Sequence, residues 1–265
     1  MYQTTYVRAG SVAEAQNLLL DNPEAQLLSG GQTLVPTLRQ RLAHPSHLVD
    51  IARIAELRGI STSADQVVIG ATTTHAEVAA SDLMRGKIPG LAGLAGGIGD
   101  PSVRHLGTIG GSIANNDPAA DYPAALVALN ATVHTSKRAI GADDFFTGLF
   151  ETALEPGEIV VRVAFPVPKR SAYEKFHQSA SRFALVGVFV AVLADGSVRA
   201  AVTGAGPGVF RATAIEAALA RNFTAEAAES VSVSADGLND DMHGSAEYRA
   251  HLVPVLAGRA VASAR

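Results

Sequence analysis

The stretch LLSGGQTLVPTLRQRLA, residues 27–43, sets two adjacent glycines between a short apolar run and a segment of helical spacing. Residues 25–28 read as a strand. Leu34, Leu38 and Leu42 recur at i, i+4 and i+8, with Arg39 and Arg41 toward solvent, and predict a helix. Between them Ser29, Gly30, Gly31, Gln32 and Thr33 form a loop. Glycine lacks Cβ and tolerates positive φ, so such a loop can close several backbone N–H groups on a crowded anion. A helix N-terminus immediately after it adds favourable partial charge.

The device returns in LGTIGGSIANNDPAAD, residues 106–121. There Thr108 and Ser112 put hydroxyls on either side of Ile109, Gly110 and Gly111, and the segment predicts a second donor loop. One Gly-Gly pair alone is an ordinary tight turn, but a second changes the balance. Asn115, Asn116, Asp117 and Asp121 follow within ten residues. That cluster reads either as a solvated loop capping the helix PAALVAL or as a set of contacts to ligand hydroxyls. Neither glycine pair is a standard nucleotide motif. A P-loop needs Gly-Lys-Ser/Thr, and no lysine follows either pair. The nearest approach to G-x-G-x-x-G starts at Gly204 and Gly206, but Val209 holds the third glycine position.

Composition narrows the function classes. The chain has 265 residues, of which 48% are hydrophobic and 17% charged, so a sizeable core forms in one large or two ordinary domains. A net charge of −4, no tryptophan and 5% aromatics argue against nucleic acid as the main partner. No cysteine is present, which rules out disulfides and any iron–sulfur cluster held by this chain's own thiolates. No basic leader precedes an unbroken apolar run, and no window offers ~18 uninterrupted apolar residues. The expectation is a cytoplasmic protein with no integral membrane segment.

Ser11 with Glu14 predicts a capped helix over 11–20, and Thr74 with Glu77 another from His75. HLVDI (47–51) and VVIGA (67–71) read as strands, PAALVALNATV as a helix running into a strand, and FFTGLFETAL (145–154) as a short helix. EIVVRVAF is a strand, after which Pro166 and Pro168 with Lys169 and Arg170 break the pattern. Asp195-Gly196 between two β-rich runs predicts a hairpin, and two helical segments follow. Strands first and helices later make this part α+β.

Four stretches in order carry a resemblance: LLSGGQTLVPTLRQRLAHPSHLVDI, TIGGSIANNDPAADYPAALVALNATV, DDFFTGLFETALEPGEIV and SAYEKFHQSASRFALVGVFVAV. Together they resemble the FAD-binding medium subunit of molybdenum hydroxylases, the carbon monoxide dehydrogenase, aldehyde or glyceraldehyde oxidoreductase and xanthine dehydrogenase family. The resemblance covers nearly the whole chain. Ser29 and Thr33 are conservative departures in the first loop, and Ser112 stands where the family commonly has Asn.

The resemblance implies an α+β flavoprotein. Residues 1–170 would be a two-lobed vanillyl-alcohol-oxidase-type (PCMH-type) FAD domain, with lobes near 1–55 and 56–170. Residues 171–265 would be a smaller α+β domain with an antiparallel sheet and helices. By position in the motifs, Ser29, Gly30, Gly31, Gln32, Thr33 and Leu34 with Thr108, Ile109, Gly110, Gly111 and Ser112 would hold the diphosphate and nearby groups. Asn115, Asp117 and Asp121 would supply polar contacts, and Val160 and Lys175 would approach the isoalloxazine ring. A cation beside a flavin also has a physical rationale, because the reduced ring gains negative charge. The implied role is electron transfer from [2Fe–2S] clusters of a small subunit, through FAD here, to an external acceptor. The molybdenum cofactor would sit on a large subunit, in a dimer of heterotrimers. No residue of this chain is expected to act as a catalytic acid, base or metal ligand. His44 and His47 are separated by Pro45, and no carboxylate pair stands at ligand spacing. The competing readings are a stand-alone FAD oxidase and a cofactor-free scaffold that keeps the fold.

Overall fold

The computed structural model describes residues 2–265. The first lobe holds β1 (Thr5–Arg8), α1 (Val12–Asp21), β2 (Gln26–Leu28), α2 (Leu34–Arg39) and β3 (His47–Asp50). Its sheet is parallel, in the order β1-β3-β2. Ser11 caps α1 by accepting from the Glu14 N–H, and Val12 and Ala15 turn into a small core with Val49, Ile51 and Leu57. The leucine run predicted for the second helix stops early. Arg41 turns left-handed at φ +60, and Leu42 is left 74% exposed instead of completing the face.

The second lobe begins with β4 (Ile60–Ser63), β5 (Gln66–Gly70), α3 (His75–Ala80), α4 (Asp82–Lys87), α5 (Pro89–Gly96) and α6 (Pro101–Leu106). It continues with α7 (Ile109–Asn115), α8 (Tyr122–Ala128), β6 (Thr132–Thr135), β7 (Ala139–Gly141) and α9 (Ala142–Phe145). β8 (Phe146–Gly148), β9 (Glu151–Thr152) and β10 (Val160–Pro166) close it. β10 threads antiparallel between β5 and β6 in a sheet of order β4-β5-β10-β6-β7. Val67, Ile69, Val163 and Phe165 pack against Leu91, Leu94, Ile109, Ile113 and Leu126 from the helices. The Thr74–Glu77 capping box of α3 is formed.

Two local expectations are corrected. FFTGLFETAL is not a helix but the end of α9 followed by the β8–β9 hairpin. The buried Asn116 amide donates to the carbonyls of Gly148 (2.9 Å) and Glu151 (2.7 Å), oxygens that a helix would have kept for itself. The segment around Gly110 is not a loop either: Thr108 is an N-cap and residues 109–115 are helix α7.

The remaining chain forms β11 (Arg170–His177), β12 (Ala184–Val192), β13 (Val198–Thr203), β14 (Phe210–Arg211), α10 (Thr213–Arg221), α11 (Ala225–Glu229) and α12 (Ala246–Ser263). The four strands are antiparallel in sequence order. The turn predicted at Asp195-Gly196 is there, with Gly196 at φ +92 and Asp195 accepting from the Ser197 N–H at 2.8 Å. The sheet is covered on both faces. Val186, Val188 and Val190 meet the α10 and α12 residues Ile215, Val253 and Leu256, whereas Phe189, Ala191 and Ala201 join the core of the second lobe. That double burial explains why ALVGVFVAV is an unbroken apolar run rather than an alternating one. No helix among the described residues is long and apolar enough to cross a membrane.

Candidate functional site

A cleft of about 590 Å³ runs between the two lobes and under the β11–β12 loop. The first glycine loop, residues 29–34, lines it completely. β2 delivers this loop and α2 carries it away, so its path is fixed at both ends. Gly31 sits at φ +68, a conformation that L side chains rarely adopt. A Cβ on Gly30 would collide with the carbonyl oxygen of Leu106, because this loop lies directly on the α6–α7 turn. Ser29 Oγ and Thr108 Oγ1 meet across the junction at 2.9 Å. Among the described residues, the backbone N–H groups of Gly30, Gly31, Gln32, Thr33 and Leu34 donate to no backbone or side-chain acceptor. Five successive unpaired donors on a cleft wall make an anion-binding surface.

The second glycine segment lines the cleft beside the first loop through Thr108, Gly110, Gly111, Ser112 and Asn115, but its donors are already engaged. The Ile109 N–H donates to Thr73 O (3.2 Å) and the Gly110 N–H to Ala71 O (2.8 Å). The Gly111 N–H donates to Thr108 Oγ1 (3.2 Å). A Cβ on Gly110 would lie 2.6 Å from Ala71 Cβ, so that glycine serves helix–strand packing. On Gly111 the nearest atom to a Cβ would be the N-cap oxygen of its own helix at 3.0 Å, and that residue is exposed to the cleft. Ile109 is fully buried and does not line the cleft.

The far end of the cleft carries charge. Asp121, 4% exposed, accepts from Lys175 Nζ at 2.8 Å and from the Tyr173 hydroxyl at 2.6 Å. Burial pushes the Asp121 carboxyl above its ordinary value, while the Lys175 ammonium and the Tyr173 hydroxyl pull it back. Asp117 and Val160 also line the cleft, whereas Lys175 reaches it only through Asp121. Asn116 instead grips the β8–β9 hairpin.

Several lining residues escaped the sequence reading. Ser181, Arg182 and Phe183 overhang the cleft from the β11–β12 loop, and Ile98, Gly99 and Val103 face it from the second lobe. The loop residues follow Lys175 by only a few positions, which is the one sequence signal that points to them. His75 lies on the floor, packed on Gly107 and 5.4 Å ring to ring from Tyr122. Burial, aided by Arg104, lowers its pKa to about 4, so it is neutral near pH 7.

Comparisons with known proteins agree along the whole chain. The family described as the FAD binding domain in molybdopterin dehydrogenase matches residues 2–168. The CO dehydrogenase flavoprotein C-terminal domain matches residues 171–264. The glyceraldehyde dehydrogenase medium chain of Sulfolobus acidocaldarius is 36% identical over 97% of this chain and 96% of its own. The carbon monoxide dehydrogenase medium chain of Hydrogenophaga pseudoflava is 35% identical over 96% of this chain and 94% of its own. Among solved structures, quinoline 2-oxidoreductase from Pseudomonas putida 86 superposes with a TM-score of 0.88 at 30% identity, covering 98% of this chain and 96% of that one.

Proposed function

Because the chain belongs to the FAD-binding medium-chain family of the molybdopterin dehydrogenases, we propose that the interlobe cleft is its FAD site. The observation that carries the assignment is the row of five unpaired N–H groups at residues 30–34, which suits the diphosphate. Ser29 and the hydroxyls of Thr108 and Ser112 border that row, and Gly111 keeps the adjoining α7 surface low. Asn115 and Asp117, which also line the cleft, would supply polar contacts to the cofactor. Asp121, Val160 and, behind Asp121, Lys175 form the flavin side. Gly110 and Ile109 act indirectly, by seating α7 on the second lobe.

When bound, FAD supplies the store that takes electrons from [2Fe–2S] clusters of a partner subunit and gives them to an external acceptor. This chain's residues bind, orient and tune. The N–H row would hydrogen-bond the phosphate oxygens without a lysine, and the Lys175–Asp121 ion pair would set the electrostatics beside the ring. The absence of cysteine fits this division of labour. We place the partners as a small iron–sulfur subunit and a large molybdenum subunit, in a cytoplasmic dimer of heterotrimers. We put the boundary between the FAD domain (1–170, lobes near 1–55 and 56–170) and the C-terminal domain (171–265) at the first residue of β11, a placement supported by the family matches on either side.

The test is co-expression with the two partner subunits. The purified complex should carry one flavin per medium chain, read as FAD extracted by acid precipitation against protein. Gly31→Val should assemble with its iron–sulfur absorbance intact but release no FAD. A wild-type complex that releases no FAD would overturn the FAD reading, and full flavin in the Gly31→Val complex would overturn the loop assignment.

A further inference from the structure

Tyr173 and Lys175 are two apart on β11, so both side chains leave the same face of the strand. Both end on a single oxygen of Asp121: the phenol donates to Oδ1 at 2.6 Å and the ammonium at 2.8 Å. Among the described residues, Asp121 Oδ2 accepts no hydrogen bond. The neighbouring strand makes room for this. Gly187, paired with Lys175 in the β11–β12 register, is the only glycine in the otherwise apolar β12, and a Cβ there would run into Tyr173 Oη. Glycine weakens a strand interior and commonly marks a close approach, and here the close approach is the phenol. The Tyr173 ring is held from behind by Phe189, 6.2 Å away between centroids.

We propose that Tyr173 is a positioning residue of the flavin site: with Gly187 clearing its path, its hydroxyl pins Asp121 Oδ1 beside Lys175 and leaves Oδ2 as a fixed acceptor on the cleft wall. The proposal rests on the FAD reading above. A buried carboxylate with one ammonium partner can rotate and needs further hydrogen bonds to stay ionised, and the phenol supplies both orientation and a donor. Burial and the adjacent carboxylate hold the phenol well above its ordinary pKa, so it remains a donor. The titratable groups around Asp121 are Tyr173 and Lys175 on β11 and Tyr122 next to it on α8. His75 stands beyond Tyr122, and Asp117 and Arg182 face the same cleft.

The test compares Tyr173→Phe, Gly187→Ala and Ser171→Ala in the co-expressed complex, each with flavin and after flavin removal. Ser171 serves as the control, a buried hydroxyl on the same strand with no hydrogen-bond partner. In the flavin-free complex the protonated-carboxyl infrared band, assigned by its loss in Asp121→Asn, should appear about one pH unit higher in Tyr173→Phe, a tenfold gain in proton affinity. Gly187→Ala should shift the band in the same direction, and Ser171→Ala should leave it unmoved. With flavin bound, the inflection that Asp121 puts into midpoint potential against pH should move by the same amount. An unchanged band in both Tyr173→Phe and Gly187→Ala, or a moved band with an unmoved potential, overturns the proposal. Should Tyr173→Phe fail to fold, Gly187→Ala alone decides. A wild-type complex that takes up no flavin breaks the FAD reading and with it the positioning role, and the infrared shift tells that failure from a Tyr173 that never held Asp121.

Discussion

The two glycine segments look alike in sequence and differ in what their glycines do. In residues 30–34 the backbone N–H groups are left without an acceptor, and Gly31 adopts φ +68. In residues 108–112 the donors are consumed by Thr73, Ala71 and the Thr108 hydroxyl, and Gly110 is small because Ala71 is against it. One segment leaves its donors free and the other spends them on the fold. A Gly-Gly pair is therefore not one signal: its meaning depends on whether neighbouring groups already accept from its N–H groups.

The sharpest way to break this contrast is to load the second segment. Gly110→Val should cost about 3 kcal/mol or more in urea unfolding, since its Cβ would fall 2.6 Å from Ala71 Cβ with no flexible atom to yield. Gly111→Ala should stay within about 0.5 kcal/mol of wild type, because its Cβ meets only the N-cap oxygen while alanine gains helix propensity. Equal losses from the two substitutions would erase the distinction. Substituting both glycines at once tests nothing about the ligand, because the fold gives way first.

A pH titration separates the floor beneath the second segment from the first loop. His75 carries a folded-state pKa lowered to about 4 by burial and Arg104, against 6.5 in the unfolded chain. The unfolded state then binds more protons between these values, so stability is full above pH 6.5 and falls as pH drops toward 4. The loss across that window is about 3 kcal/mol. His75→Phe should flatten that part of the curve of unfolding free energy against pH. A variant with the wild-type slope would place the burden on carboxylates elsewhere.

Much of the fold was legible because local chemistry and global packing agree. Ser11–Glu14 and Thr74–Glu77 formed their caps, and Asp195-Gly196 its turn. Where it was not legible, either a distant group or a left-handed backbone turn decided. FFTGLFETAL has helix-forming residues, but the Asn116 amide arrives from 32 and 35 positions away and takes its carbonyls. Leu42 fits the leucine period, yet Arg41 turns left-handed before it. In the cleft, the residues close in sequence to a glycine pair were legible. Arg182, Phe183 and His75 were not, since only tertiary packing brings the β11–β12 loop and α3 to the same space. The spent donors at residues 109 and 110 were equally hidden, because their acceptors at Thr73 and Ala71 come from the turn after β5.

The first loop should respond in ligand binding more than in stability. Gly31→Ala imposes φ +68 on a residue with a Cβ, a strain of about 1–2 kcal/mol, and crowds Val35 and Leu28 at 3.1 and 3.2 Å. Relief by a local flip would scatter the row of donors. The expected result is a weakening of FAD affinity by about tenfold or more, read by flavin fluorescence, with unfolding changed by no more than the strain. If affinity holds while stability drops by several kcal/mol, this loop behaves like the second and the comparison fails.

The smallest effect asks whether the two segments act as one site. Ser29 Oγ and Thr108 Oγ1, 2.9 Å apart, form the side-chain hydrogen bond between them. Ser29→Ala alone should cost about 0.5–1 kcal/mol of stability. Thr108→Ala should cost about 1 kcal/mol more than that, because the same oxygen also caps α7. Only the double-mutant cycle removes the capping contribution, which appears in both Thr108 backgrounds. A coupling of about 0.5 kcal/mol in apo-protein unfolding would report the bare hydrogen bond. The informative quantity is the same coupling measured on FAD affinity. If the bond merely joins two walls, it vanishes there. If it fixes the spacing between the donor row and the α7 surface beside it, removing either hydroxyl releases that spacing, and removing the second adds little. The cycle would then be markedly non-additive in binding while nearly additive in stability, which is the behaviour expected of two differently built segments holding one ligand.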